Sequence, residues 1–126
     1  MNSADTNVLV RLIARDDPHQ TASAEGFVKT GVWVSVLALA EAVWVFESFY
    51  KRTPRELAET IEMLLFNNNV VLEDSDAVRA ALELFRARPS LGFTDCLILE
   101  LARKSGHLPL GTFDRNLAKL DGAQKL

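Results

Sequence analysis

Short apolar runs alternate with amphipathic helical segments along the whole chain, and this alternation limits the folds open to it. Most of the runs are apolar at nearly every position, which is typical of strands buried on both faces of a parallel sheet. The predicted strands are a short polar stretch ending at Asp5, Val32 to Ser35, Val70 to Glu73, Leu108 to Thr112 and a last one near Ala123 to Leu126. The pattern therefore predicts α/β layers around a parallel sheet.

Several predicted helices have recognisable ends. Thr53-Pro54-Arg55-Glu56 is a capping box with proline at the first helical position. The stripe that follows it is Leu57, Ile61, Leu64 and Leu65, and Asn67 to Asn69 end the helix. Further helices are predicted from Asp17-Pro18 to about Gly31, from Asp74 or Ser75 to before Pro89, and from Thr94 to Gly106.

Composition excludes several broad classes of protein. The 126 residues, 48% hydrophobic and 25% charged, predict one globular domain over 1–126. The lone Cys96 and the absence of a basic, apolar leader predict a cytoplasmic protein. The longest apolar run, Val32 to Phe46, is too short for a membrane span and carries Glu41, so no membrane partner is expected. With 14 basic and 17 acidic residues the net charge is −3, so any nucleic-acid contact must be local.

Four carboxylates stand where acids need an explanation. Glu41 has apolar helical neighbours, Leu37 and Trp44 among them, and is predicted to point into a core, unless it meets Arg11 or reaches solvent. Asp95 is likewise predicted to face inward. Asp5 and Asp114 end strand candidates, at the sheet edge where ligands bind in open parallel sheets. Asp5, Asp95 and Asp114 have helix capping or first-turn positions as the alternative.

If these carboxylates converge, they need a cation among them. Each pair about 4 Å apart would repel by roughly 4 kcal/mol at an effective dielectric near 20. Oxygen-only ligands select a hard ion, and Mg²⁺ or Mn²⁺ suits a carboxylate cluster that also admits phosphate oxygens. The expected chemistry is hydrolysis of a phosphodiester.

Four ordered motifs carry a resemblance to a known family. They are Asp5-Thr6-Asn7-Val8-Leu9-Val10-Arg11-Leu12, Ser35 followed by Glu41 and Ala42-Val43-Trp44-Val45, Phe93-Thr94-Asp95-Cys96-Leu97-Ile98, and Thr112-Phe113-Asp114. In this order and over nearly the whole chain, the set resembles the PIN domain, specifically VapC-type toxins of bacterial toxin–antitoxin pairs. The resemblance implies a three-layer α/β/α fold around a central parallel sheet of four or five strands.

The resemblance also implies an activity. It predicts a Mg²⁺- or Mn²⁺-dependent endoribonuclease in which a metal-activated water attacks the RNA phosphate. Asp5, Glu41, Asp95 and Asp114 match the family's acidic quartet, which is both catalytic and metal-binding. Thr112 matches a hydroxyl position beside the quartet and Asn7 a polar position after the first acid, although both suit local caps. The implied partners are RNA, a VapB-like antitoxin and a second copy of the chain.

RNA would need local positive charge. The candidates are Arg11, Arg15, Lys51, Arg52, Arg86, Arg88, Arg115 and Lys119, with Arg115 and Lys119 preferred for phosphate contacts. Among the aromatic residues Trp44, Phe46, Phe49 and Tyr50, Trp44 is predicted to be core, and the others to supply an exposed partner patch.

Two alternatives remain open at this point. A non-catalytic PIN-like module would bind RNA or protein without cutting. A receiver-type phosphoacceptor domain is disfavoured, because Asp16-Asp17 lies too far from the first strand and no matching lysine follows the last.

Overall fold

The computed structural model describes all residues, Met1–Leu126, and the chain divides into two compact units, Met1–Ser75 and Asp76–Leu126. Strands and helices alternate in both units, and every strand pair is parallel. The prediction of an α/β fold with parallel strands is confirmed. The five strands form one sheet of three and one of two.

The first unit contains a three-stranded sheet and four helices. Along the chain these are β1 (Asn2–Ser3), α1 (Thr6–Ala14), α2 (Pro18–Val28), β2 (Val32–Val34), α3 (Val36–Ser48), α4 (Pro54–Phe66) and β3 (Val70–Leu72). The strand order is β1-β2-β3, with Ser3 opposite Trp33 and Val34 opposite Leu72.

The second unit contains two longer helices, two short turns of 3₁₀ helix and a two-stranded sheet. Along the chain these are α5 (Ser75–Ala87, beginning at the last residue of the first unit), a 3₁₀ turn at Pro89–Leu91, α6 (Phe93–Lys104), β4 (Leu110–Thr112), a 3₁₀ turn at Leu117–Lys119 and β5 (Ala123–Lys125). Pro109, which has no N–H to donate, directly precedes β4 and so costs the sheet no hydrogen bond.

Helix ends follow the capping signals closely. The Glu56 N–H donates to Thr53 Oγ1 at 3.2 Å and the Thr53 N–H donates to Glu56 Oε1 at 2.8 Å, which completes the predicted capping box. Asp17 caps α2, accepting from the Gln20 N–H at 3.0 Å. Because α6 begins at Phe93, the prediction of a start at Thr94 is late by one residue.

The strands are less completely buried than their hydropathy predicts. Val32 and Val34 are fully buried, whereas Trp33 between them is 39% exposed and Val71 on β3 is exposed too. Strand residues alternate between faces, so the odd and even positions meet different surroundings. A run of apolar residues cannot reveal this difference.

The core of the first unit is centred on α3. Its buried face consists of Ala38, Leu39, Ala42, Val43 and Phe46. The prediction that Trp44 belongs to the core is wrong, because its side chain is 66% exposed and it is Phe46 that is fully buried. The helix is apolar on every side, so periodicity gives no guide to which face packs.

None of the helices combines the length and the hydrophobicity that crossing a bilayer requires.

Candidate active site

Asp5 lies directly after the first strand pair and begins α1. The Ala4 N–H donates to the Trp33 carbonyl at 3.0 Å, which extends the pairing of β1 with β2 up to the residue before the acid. Asp5 Oδ1 accepts the Val8 N–H at 3.1 Å, so the helix-cap alternative describes this oxygen. Its Oδ2 accepts no protein hydrogen bond and the residue is exposed.

Glu41 lies on the outward face of α3, and the prediction that it points into a core is wrong. Its neighbour Leu37 on that face is 67% exposed, so the apolar surroundings are themselves at the surface. Arg11 is not its partner, because that guanidinium pairs with Asp16 at 3.0 Å. The Glu41 carboxylate therefore reaches solvent with no protein group neutralising it.

Asp5 and Glu41 line the same cavity of the first unit, about 740 Å³ in volume. Asn7, Phe27 and Trp33 also line it. Sequence reasoning missed Phe27 and Trp33. The one signal for Trp33 was its place between two valines of a strand, where alternation turns it to the opposite face.

Asp114 follows β4 and begins the turn after it. Its Oδ1 accepts the N–H groups of Asn116 and Leu117, each at 2.8 Å, and its own N–H donates to Thr112 Oγ1 at 3.0 Å. As at Asp5, one carboxylate oxygen caps the local structure and Oδ2 accepts nothing from the protein. The residue is exposed.

Asp95 lies in the first turn of α6 and is half-buried. Burial raises the pKa of its carboxyl above the ordinary value, and the negative charge of Asp114 raises it further. No N–H, hydroxyl or cationic group of the protein donates to it. Two carboxylates of the second unit therefore lie close enough to repel, and one of them is partly withdrawn from water.

The neighbouring Cys96 contributes no ligand at neutral pH. Its side chain is fully buried, and burial raises the pKa of the thiol to about 11, so the thiolate form that binds metals is scarce. The donors on offer are carboxylate oxygens, which suit Mg²⁺ or Mn²⁺ rather than a softer ion.

The four predicted acids thus occur as two pairs, Asp5 with Glu41 in the first unit and Asp95 with Asp114 in the second. Neither unit contains a group of three or more His, Cys, Asp or Glu side chains arranged to hold a metal ion. In each pair one acid, Asp5 or Asp114, uses Oδ1 for local backbone hydrogen bonds and has no protein donor at Oδ2. The other acid, Glu41 or Asp95, accepts no protein hydrogen bond. Carboxylate oxygens without protein donors suit a hard cation. The convergence of all four acids stays a prediction.

The other predicted site residues have simpler surroundings. Thr112 receives the Asp114 N–H, as the local-cap alternative holds. Asn7 is exposed in the first turn of α1 and lines the cavity of Asp5 and Glu41. Arg115 is exposed and takes part in no ion pair.

Several of the basic candidates are occupied by protein partners. Arg15 pairs with Glu25 at 3.0 Å, and Arg52 donates to Thr60 Oγ1 at 2.6 Å while its guanidinium lies over the Phe46 ring. Arg11 is taken by Asp16. The candidates whose side chains make no such interaction are Lys51, Arg88, Arg115 and Lys119.

Comparison with known proteins gives one family. The model of the PIN domain matches residues 4–123, which include all four acids and nearly the whole chain. No curated protein and no solved structure matches significantly.

Proposed function

The chain belongs to the PIN domain family, a nuclease-type fold, and from that premise we propose that it is a Mg²⁺- or Mn²⁺-dependent endoribonuclease. In this proposal it is the VapC-type toxin of a toxin–antitoxin pair and acts in the cytoplasm. The four acids, Asp5, Glu41, Asp95 and Asp114, carry the reaction.

The observation that carries this proposal is the pair formed by Asp95 and Asp114. Asp95 is half-buried beside a second negative charge, and the protein supplies it with no donor. Such an arrangement costs stability in the protein alone, and costs of this kind are concentrated at functional sites. A divalent cation shared by the two carboxylates would remove their repulsion. In a nuclease-type fold such a cation would take part in phosphodiester hydrolysis.

Asp5 and Asp114 would each bind a cation through Oδ2, the oxygen that its local backbone hydrogen bonds leave free. In each residue the cap fixes the side-chain rotamer through Oδ1, so Oδ2 is presented in one direction. The partial burial of Asp95 lowers the local dielectric, which strengthens its attraction for a cation. When bound, Mg²⁺ or Mn²⁺ supplies activation of the attacking water and stabilises charge on the phosphate oxygens.

Exposed apolar side chains in the first unit support the proposed protein partners. Leu37, Trp44 and Phe49 are each about two-thirds or more exposed, which is costly for large apolar groups in water. An interface with a VapB-like antitoxin or with a second copy of the chain would bury them.

The test of the activity is RNA cleavage by the purified protein with added Mn²⁺. We expect cutting that stops with EDTA and falls by two or more orders of magnitude in Asp95→Asn. Asp121→Asn is the matched control, because that carboxylate is fully exposed and has only a distant ion pair with Arg103, at 4.0 Å. RNA left whole with every metal tried would contradict the proposal.

One observation favours the alternative function, a non-catalytic PIN-like module: neither unit groups three potential metal ligands. Such a module would bind RNA equally well with and without EDTA and would never cut it. The same assay therefore separates the two functions.

A further inference from the structure

A small polar cavity in the second unit carries two cationic side chains that nothing neutralises. Its volume is about 260 Å³, and Arg88, Ser90, Asn116 and Lys119 line it. No acidic residue lines the cavity, and neither Arg88 nor Lys119 takes part in an ion pair or a side-chain hydrogen bond. A concave site with two uncompensated positive charges attracts an anion.

The cavity is framed by the two 3₁₀ turns of the second unit. In the first turn the Leu91 N–H donates to the Arg88 carbonyl at 3.1 Å, and in the second the Lys119 N–H donates to the Asn116 carbonyl at 3.3 Å. Leu91 and Leu117 are both buried and so anchor the turns. The backbones that carry the polar side chains are therefore held in place without any ligand.

The second of these turns is the one that Asp114 begins. Asp114 Oδ1 accepts the Asn116 N–H, and the Ala118 N–H donates to the Asp114 carbonyl at 3.0 Å. The acid and two of the four polar residues of the cavity, Asn116 and Lys119, thus belong to one short hydrogen-bonded segment. An anion in the cavity would lie beside the segment that positions Asp114.

The donors in the cavity match a phosphate group. A guanidinium, an ammonium, a hydroxyl and an amide can all donate to phosphate oxygens, and the two cations form the stronger, charge-assisted bonds. The volume equals that of roughly nine water molecules at about 30 Å³ each, which is room for a phosphate and the adjoining sugar. The rest of the lining is Ala87, Pro89 and Leu91, so the cavity offers no aromatic side chain for a peptide anchor.

We propose that this cavity binds a backbone phosphate of an RNA strand, next to the phosphate that is cut. The inference rests on the proposed nuclease function, and it makes Arg88 and Lys119 positioning residues that hold the strand in register with Asp114. They touch a phosphate that does not react.

Binding of a short fluorescent oligouridylate tests this inference, measured by anisotropy at several salt concentrations. The parent protein carries Asp95→Asn so that the RNA stays intact. In that background we expect Arg88→Gln and Lys119→Gln each to weaken binding several-fold at low salt. In the double variant the slope of log K against log salt concentration should also become less steep. The slope should change by about 0.7 for each phosphate that the protein no longer neutralises.

Arg79→Gln and Lys29→Gln are the matched controls. Both residues are exposed, have no partner in the protein and lie outside the cavity, and their substitution removes the same charge. We expect them to leave the salt slope unchanged. With wild-type acids, Arg88→Gln and Lys119→Gln should raise KM and leave kcat unchanged, because a phosphate that does not react is bound equally in ground and transition states.

Each outcome decides something different. If the double variant matches its parent in affinity and salt slope while the wild type still cuts RNA, the cavity proposal is wrong and the nuclease function stands. The same result together with weakened binding of a polyglutamate peptide would assign the cavity to an acidic protein partner. If the parent binds no RNA and the wild type cuts none, both proposals fail.

Discussion

The ionised carboxylate of Asp95 is energetically unfavourable, and no group in the second unit compensates for it. Its carboxylate is partly removed from water, it lies near the charge of Asp114, and it receives no donor. The ordinary reason for keeping such a residue is a ligand that needs it. In the absence of that ligand the ionised side chain should lower the stability of the protein.

The Asp95→Asn variant should therefore melt a few degrees higher than the wild type in EDTA at neutral pH. Because the folded-state pKa of Asp95 is raised, the folded protein favours the protonated form. As the pH falls through that raised pKa, the wild type gains stability that the variant does not, so the difference in Tm between them should shrink toward acid pH. Thermal melts at stepped pH measure this; an Asn variant less stable than the wild type at pH 7 would contradict it.

Glu41 and Asp95 show what apolar context can and cannot predict about single residues. The inward placement of Asp95 could be predicted in part, because α6 has distinct polar and apolar faces and Asp95 shares the apolar one. Glu41 could not be placed, because α3 is apolar on all sides and only the packing of α1 and α4 against it decides which face is core.

One polar cluster ties the segment that follows α3 to the connection between α1 and α2. Tyr50 Oη donates to Asp16 Oδ2 at 2.7 Å, and Arg11 donates to Asp16 Oδ1 at 3.0 Å. The Tyr50–Asp16 contact joins residues 34 positions apart along the chain. The hydrogen bond from Tyr50, with smaller contributions from the backbone of Asp16 and from Arg11, holds the pKa of Asp16 below its ordinary value.

Tyr50→Phe should accordingly reduce stability at neutral pH more than at acid pH. A lowered carboxyl pKa contributes stability that is present above the unfolded-state value and is lost as the pH falls through the folded-state value. The difference in Tm between wild type and variant should thus shrink as the pH falls through the lowered pKa of Asp16. The control is Phe49→Leu, an exposed neighbour without a polar link, whose effect should not vary with pH.

Helix and strand positions were predictable wherever a local signal marks them. The capping box at Thr53 and the Asp17-Pro18 start appear as predicted, because side-chain caps act within a few residues. The exposed faces of β2 and β3 were not predictable, since hydropathy does not distinguish Trp33 from the valines on either side of it.

For the whole molecule, the decisive measurement is the response to metal. Millimolar Mg²⁺ or Mn²⁺ should raise the Tm of the wild type, because a ligand at ten times its Kd stabilises a protein by about 1.4 kcal/mol, or several degrees. Asp5→Asn should respond less, and Glu47→Gln, an exposed change on α3, should respond like the wild type. Equal shifts in all three proteins would argue against a carboxylate site.

The order of motifs was sufficient to predict the family, because each motif lies at the end of a strand or in a helix that can be recognised locally. The joining of the two acid pairs depends on long-range packing, which no local pattern encodes. Their convergence on one ion stays a prediction.

The helix cap at Asp5 and the turn held by Asp114 decide how an inactive protein should be made. Alanine at either position would remove the charge and also the start of the following turn, so a failure of catalysis and a failure of folding would be confounded. Asparagine caps about as well as aspartate and carries no charge. An alanine scan would therefore credit these two residues with more chemistry than they perform.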